Sequence, residues 1–236
     1  MKRGKPHLFC NLVFLLFLLA AIPAYCQRAT FDINAGQVSD KFGTLGSVTG
    51  ADFDVNGQVT VIHSGDQDSG PSIVAGGEVR IPADGTNHAK EFALYAGPSF
   101  RTHHLSIGFN AQVRKIYLPS AIVENQFFTR GNLELFQLPL VIRYTFGPAR
   151  RGFIQVQGEP EFTPRYHAGR SLVSLPHPKF DHGYTVQGSV GYTFGKWYAK
   201  GTYETRYFKF LSNPGNPSDL FNWRSNLVSG GVGLIF

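Results

Sequence analysis

From residue 31 to residue 236 the chain keeps to one pattern: segments of about ten residues in which alternate side chains are apolar, parted by stretches of Pro, Gly, Asn and Ser. Leu105, Ile107, Phe109, Ala111 and Val113 oppose Ser106, Asn110, Gln112 and Arg114. Trp197, Ala199, Gly201, Tyr203 and Tyr207 oppose Lys200, Thr202, Glu204 and Arg206 in the same way. A period of two turns each segment into a strand with one apolar and one polar face. An all-β chain of such strands buries its apolar faces between two sheets, or closes one sheet on itself.

The amino terminus reads as a removable address. Lys2, Arg3 and Lys5 precede the uncharged run 8–22, and Pro23-Ala24-Tyr25-Cys26 follows, the order of a secretory signal peptide. Cleavage is expected after Cys26, giving a signal peptide of 1–26 and a mature domain of 27–236; cleavage after Ala24 is the alternative. Tyr25 is too bulky to precede a lipoprotein cysteine. Cys10 and Cys26 both lie in or at the edge of this segment, so the mature chain is expected to hold together without a disulfide. Losing Lys2, Arg3 and Lys5 leaves 19 basic residues against 16 acidic ones and lowers the net charge from +6 to +3. The remaining bases are scattered singly, which with export argues against nucleic acid as a partner. After Ile22 no apolar run approaches the roughly 20 residues of a spanning helix. Within a bilayer, the backbone of such a chain is satisfied only as a closed barrel.

Eight alternating segments occupy 73–81, 92–101, 105–114, 136–146, 153–166, 184–194, 197–207 and 226–236. A ninth occupies 51–62, where Phe53, Val55, Val59 and Val61 alternate with Asp52, Asp54, Asn56, Gln58 and Thr60. A weaker one near Phe31 sets Ile33 and Ala35 against Asp32 and Asn34. Membrane barrels made from one chain have an even strand number, so the ninth segment recruits the tenth. The expectation is a transmembrane antiparallel up-and-down β-barrel of ten strands. The alternative has eight, with 27–70 as an N-terminal extension.

Connections alternate in length, as barrel topology requires: 101–104, 147–152 and Gly195-Lys196 are short, while 81–90, 119–131, 167–181 and 211–223 are long. The stretch 63–71 is the misfit, long for its place. Trp197 and Tyr207 lie ten residues apart, about 25 Å along a tilted strand and the height of an outer-membrane apolar band. Phe146, Phe153, Phe194 and Phe236 beside short turns, and Tyr117, Tyr166, Phe210 and Trp223 beside long ones, read as two aromatic girdles. A soluble β-sandwich would also alternate, but here aromatic faces run through nearly every strand.

The final residues Ser229-Gly230-Gly231-Val232-Gly233-Leu234-Ile235-Phe236 match polar-x-Gly-x-x-apolar-x-aromatic at Ser229, Gly231, Leu234 and Phe236. That ending resembles the C-terminal assembly signal of bacterial outer-membrane barrels. Phe136-Gln137-Leu138-Pro139-Leu140-Val141-Ile142-Arg143-Tyr144, with the hairpin after it, resembles a strand of small outer-membrane β-barrel proteins, the porin-like family grouped with OmpA/OmpX-type barrels. The resemblance covers 92–236. It implies a location in the bacterial cell outer membrane, contact with lipid and lipopolysaccharide, and delivery by the barrel-assembly machinery. It implies no single activity, since the fold hosts anchors, adhesins, small pores and enzymes.

The polar faces carry Glu78, Arg80, Arg114, Arg143, Glu159, Glu161, Arg165, Lys200, Glu204 and Arg206, many near mid-height. Opposite charges at one level of a narrow barrel pair and fill it, whereas a selective pore is lined by one sign. The expectation is a lumen closed or nearly closed by an ion-pair plug, with a small diffusion pore as the alternative. Catalytic pairs are few. His167 with Ser171, and Asp181 with His182, fall at loop bases, where a third reading would place a rim-site hydrolase acting on lipid A or peptides. Neither spacing matches the His-x-Ser or Asp-x-His pattern of such enzymes. His103-His104, His88 and His177 lack a second ligand at metal spacing. No catalytic, metal or cofactor residue is therefore expected, and the chain reads as a structural or interaction barrel rather than an enzyme. Its long connections place apolar groups at 172–176, 220–223 and Phe127-Phe128, to pack together, dip into the outer leaflet, or meet a host surface or envelope partner.

Overall fold

The structure, a computed structural model, describes residues 28–42, 46–62, 69–83, 89–117, 132–161, 165–167, 179–211 and 222–236. The expected signal peptide lies outside these residues. Thirteen strand segments follow in order: β1 (Arg28–Phe42), β2 (Gly46–Ile62), β3 (Gly70–Pro82), β4 (Lys90–Arg101), β5 (Leu105–Phe109), β6 (Ala111–Tyr117), β7 (Asn132–Gln137), β8 (Leu140–Phe146), β9 (Gly152–Pro160), β10 (Arg165–His167), β11 (Lys179–Phe194), β12 (Trp197–Leu211) and β13 (Trp223–Ile235).

They make ten staves. Seven are single segments, and three are broken once, as β5 with β6, β7 with β8 and β9 with β10. Every stave pairs antiparallel with its chain neighbours, and β13 returns to pair with β1 from Thr30↔Ile235 to Phe42↔Trp223, so the ring closes. The expected ten-strand up-and-down barrel is the fold observed. Residues 28–62 are two of its staves, which overturns the eight-strand alternative and its N-terminal extension.

The segments 105–114 and 136–146, read as continuous strands, are each interrupted. Proline has no N–H to give to a ladder, and at Leu138-Pro139 the stave breaks opposite Asn110. The Asn110 N–H donates to the Pro139 carbonyl at 2.9 Å and carries the pairing across both breaks. Gly97 faces this irregularity, where any Cβ would run into the Phe109 carbonyl.

Side chains sort inside-out. Every stave sends apolar groups outward, among them Ile33, Phe53, Ile73, Val113, Ile142 and Val190, each 40–59% exposed. The interior holds Asp32, Arg80, Glu91, Arg114, Glu159, Glu204 and Arg206, all buried. A water-soluble fold does the reverse. A closed ring of hydrogen-bonded strands with an apolar outer belt is the solution for a bilayer-spanning sheet.

The short connections share one end of the barrel with both termini of the described chain: residues 102–104, 147–151 and Gly195-Lys196. Gly195, at φ 65°, takes the first central position of its two-residue hairpin, a conformation open to glycine. Ile62 and Gly70, the ends of β2 and β3, lie at this end too, so the connection between them is the long one among short turns, as its length in the sequence implies. The strand ends flanking the other long connections, and Phe42 with Gly46, lie at the opposite end. Outward aromatics mark the short-turn end at Phe146, Phe194, Trp197 and Phe236, and the opposite end at Phe92 and Tyr117. Two aromatics expected in these girdles face inward instead: Phe153 is 3% exposed and Trp223 is 2% exposed. Each shares the parity of its stave's lumen residues, Phe153 with Gln155, Gln157 and Glu159, and Trp223 with Ser225 and Leu227. The side chains of Tyr166 and Phe210 lie outside the described residues.

Candidate functional site

Because the interior is polar, the candidate site is the lumen itself, built in layers from the alternating inward residues. Close to the long-connection ends of β3 and β4 lies a cluster of three arginines and four glutamates. The Arg80 guanidinium donates from Nη1 and Nη2 to the two carboxylate oxygens of Glu204, at 2.8 and 2.9 Å, and from Nη2 to Glu78 at 3.2 Å. Arg206 makes the same fork to Glu91, at 2.6 and 3.0 Å, and also donates to Glu204 at 3.0 Å. Arg114 donates to Glu91 at 2.9 Å and to Glu159 at 3.3 Å, and its Nε–H reaches Gln137 at 3.3 Å. Gln137 in turn donates to Glu159 at 3.0 Å and to Glu161 at 3.2 Å. Two-pronged, charge-assisted bonds of this kind fix orientation as well as energy.

Placement around the ring decides what this cluster does. Glu91 stands on β4 and Arg206 on β12, which is the fifth stave from it on a ring of ten. Their 2.6 Å contact therefore joins opposite walls. Arg80 on β3 reaches Glu204 on β12 almost as far across.

One pleat nearer the long connections, the inward residues turn apolar. Ile116, Leu133, Leu135 and Phe208 are buried there, and Phe208 stacks on Trp223 with ring centroids 5.1 Å apart. The Trp223 indole N–H donates to Asp40 at 3.0 Å. Arg206 lies 5.7 and 5.8 Å from the centroids of these two rings, so its cation is covered by aromatic faces on one side and by carboxylates on the other.

Toward the short turns a second polar layer follows. Asp32 accepts from Lys200, Tyr198 and Asn34, each at 2.7 Å, and Asn34 also donates to Asp54 at 3.2 Å. A cavity of about 720 Å³ takes in this layer and runs from Asp54 and Glu78 to the short turns, where His103, His104, Arg150 and Arg151 line it.

Of the ten lumen residues expected from sequence, Glu78, Arg80, Arg114, Glu159, Glu204 and Arg206 meet in the cluster, and Glu161 joins it through Gln137. Lys200 belongs to the Asp32 layer. Arg143 stands apart near the short turns, its guanidinium 3.9 Å from the centroid of Phe153. Arg165 lies in β10, and its side chain is outside the described residues. Glu91, which reaches all three cluster arginines, was missed.

In the expected assembly signal, Ser229 lines the cavity, Phe236 points outward, and Leu234 pairs with Phe31 in the closing seam. Gly231 abuts β1 so closely that a Cβ would strike Asn34 and the Ile33 carbonyl.

The rim pairs considered for hydrolysis have little machinery around them. His182 bonds Asp181 at 3.0 Å beside a β-bulge at 181, and no hydroxyl of a described residue bonds its ring. Ser171, His88, His177 and the side chain of His167 lie outside the described residues. His103 and His104 are exposed in their turn, where His104 Nδ1 donates to the Thr145 carbonyl at 3.0 Å. The apolar groups at 172–176, 127–128 and 220–221 lie outside the described residues as well, whereas Trp223, expected with them, sits in the lumen.

No protein-family model matches the chain, nor does any curated protein sequence. Among solved structures it is similar to Neisserial surface protein A, at 12% identity over 87% of this chain and 96% of that one, with a TM-score of 0.41. It is similar to the KdgM porin at 11% identity over 87% and 98%, with a TM-score of 0.37. The attachment invasion locus protein of Yersinia pestis matches at 9% identity over 89% and 98%, with a TM-score of 0.31. Identity and superposition are both low.

Proposed function

We propose that this chain is an integral protein of the bacterial outer membrane, of structural or interaction type, with a lumen closed by its charged layer. The observation that carries the closure is the Glu91–Arg206 fork, which ties opposite walls together at 2.6 Å. Mixed charge, two-pronged geometry and an aromatic cover on Arg206 all favour a fixed layer over a lined path. The outer belt takes lipid, and the long connections, with lipopolysaccharide and envelope or host surfaces within reach, supply the contacts. The terminal segment Ser229, Gly231, Leu234 and Phe236 serves delivery by the barrel-assembly machinery.

The second reading, a small diffusion pore, draws on the cavity of about 720 Å³ and requires the charged layer to part. Conductance of the purified protein in a planar bilayer separates the two. A quiet bilayer supports closure, and regular openings support the pore. Heat-modifiable gel mobility in isolated outer membranes tests the location, with a single unshifted band released by carbonate as the contrary result.

A further inference from the structure

We infer that the short-turn end of the lumen is a binding site for a small, soluble, multiply charged anion bearing phosphate or carboxylate groups. The cavity of about 720 Å³ lies in the range of small-molecule sites. Arg28, Arg101, Arg143, Arg150 and Arg151 line it, and its carboxylates, Asp32, Asp54 and Glu78, lie toward the charged layer, where Lys200 already takes Asp32. Among the described residues, basic side chains thus outnumber acidic ones on its wall, and the excess sits toward the mouth.

Arg143 is the centre of this arrangement. Its guanidinium plane rests on Phe153 at 3.9 Å, which orients the N–H fork, and no carboxylate of a described residue pairs with it. Arg28 and Arg101 stand near enough to repel it. A guanidinium fork matches phosphate or carboxylate, and an anion seated on Arg143 offsets its repulsion with Arg28 and Arg101 in addition to the partners those two already have. Amide and hydroxyl groups, including Gln58, Gln155, Gln187, Ser189 and Thr202, make up much of the remaining wall beside smaller apolar patches such as Val74 and Leu227, so the anion has a polar body. The cavity lies inside the closed ring of strands, away from the lipid-facing outer belt, which favours a free anion over a lipid headgroup. The site stands whether or not the charged layer closes the lumen.

The test is calorimetric titration of the folded mature chain in detergent with inorganic pyrophosphate and, separately, citrate. One-site binding that weakens with salt is expected, and Arg143→Gln should weaken it about tenfold or more. Arg143→Lys should fall between, because it keeps the charge and loses the fork. Lys115→Gln, on the outer surface, should leave the titration unchanged. Retained heat-modifiable mobility establishes that each variant has folded, and Arg101→Gln takes the place of Arg143→Gln if that variant does not fold. The inference is overturned if neither anion binds, if Arg143→Gln binds as tightly as the parent, or if Lys115→Gln weakens binding equally. It is also overturned if phosphatidylglycerol in nanodiscs displaces pyrophosphate, since the occupant is then a lipid headgroup.

Discussion

Glu91 sets the residue scale of this barrel, because its one carboxylate meets Arg206, Arg114 and Arg80. Taking away one partner of a buried ion pair leaves uncompensated charge, at a cost of about 3–5 kcal/mol. Glu91→Gln should lower unfolding stability in urea by that order. Lys115→Ala, which breaks the half-exposed pair with Glu134 at 2.8 Å, should change it by no more than about 1 kcal/mol. Equal effects from the two would show that the buried cluster contributes nothing special. The sequence displayed most of this cluster, since Glu78, Arg80, Arg114, Glu159, Glu204 and Arg206 stand on the polar parity of clear strands. Glu91 is less legible because it directly follows the polar connection 81–90, although it shares the inward parity of Ala93 and Tyr95. Trp223 and Phe153 were misplaced for a different reason. Aromatics near strand ends suit either a girdle or a lumen, and parity was the signal that should have decided.

At the scale of elements, the seam between β1 and β13 decides whether the sheet closes. In sequence β1 was the weakest strand, with apolar alternation clear only from Phe31 to Ala35. Its strength is tertiary: it pairs with β2 along its whole length and with β13 over nearly all of it. Even strand number brought it into the count, which periodicity alone would not have done. Gly231 lies where β13 passes Asn34, and a side chain there has no room. Gly231→Val should abolish the fast-migrating unboiled band, whereas Gly201→Val, where a Cβ meets nothing, should keep it. Two normal bands from Gly231→Val would mean that the seam tolerates a gap. The breaks at Asn110 and Pro139 were less legible, because proline within an alternating run marks a lost donor without saying how the neighbouring stave adjusts.

At the scale of the molecule, the two tryptophans report which face meets lipid. Trp197 is 57% exposed on the outer surface, and Trp223 is buried in the lumen. In vesicles with brominated acyl chains, Trp223→Phe should retain strongly quenched emission and Trp197→Phe should retain emission that is hardly quenched. The opposite pattern would invert the assignment of faces. The inside-out sorting was plain in the alternation, because polar and apolar faces repeat in register through nearly every stave. The layering was not, since height along the lumen depends on strand stagger that period-two reading leaves open. It separates Arg143 and Lys200 from the cluster to which their parity had assigned them.

The central claim is that charged side chains from opposite walls close this lumen. Single-channel recording of the purified, folded protein in a planar bilayer tests it most directly. A silent bilayer after insertion verified by heat-modifiable mobility is the expected result, and regular conductance steps in the nanosiemens range would contradict it.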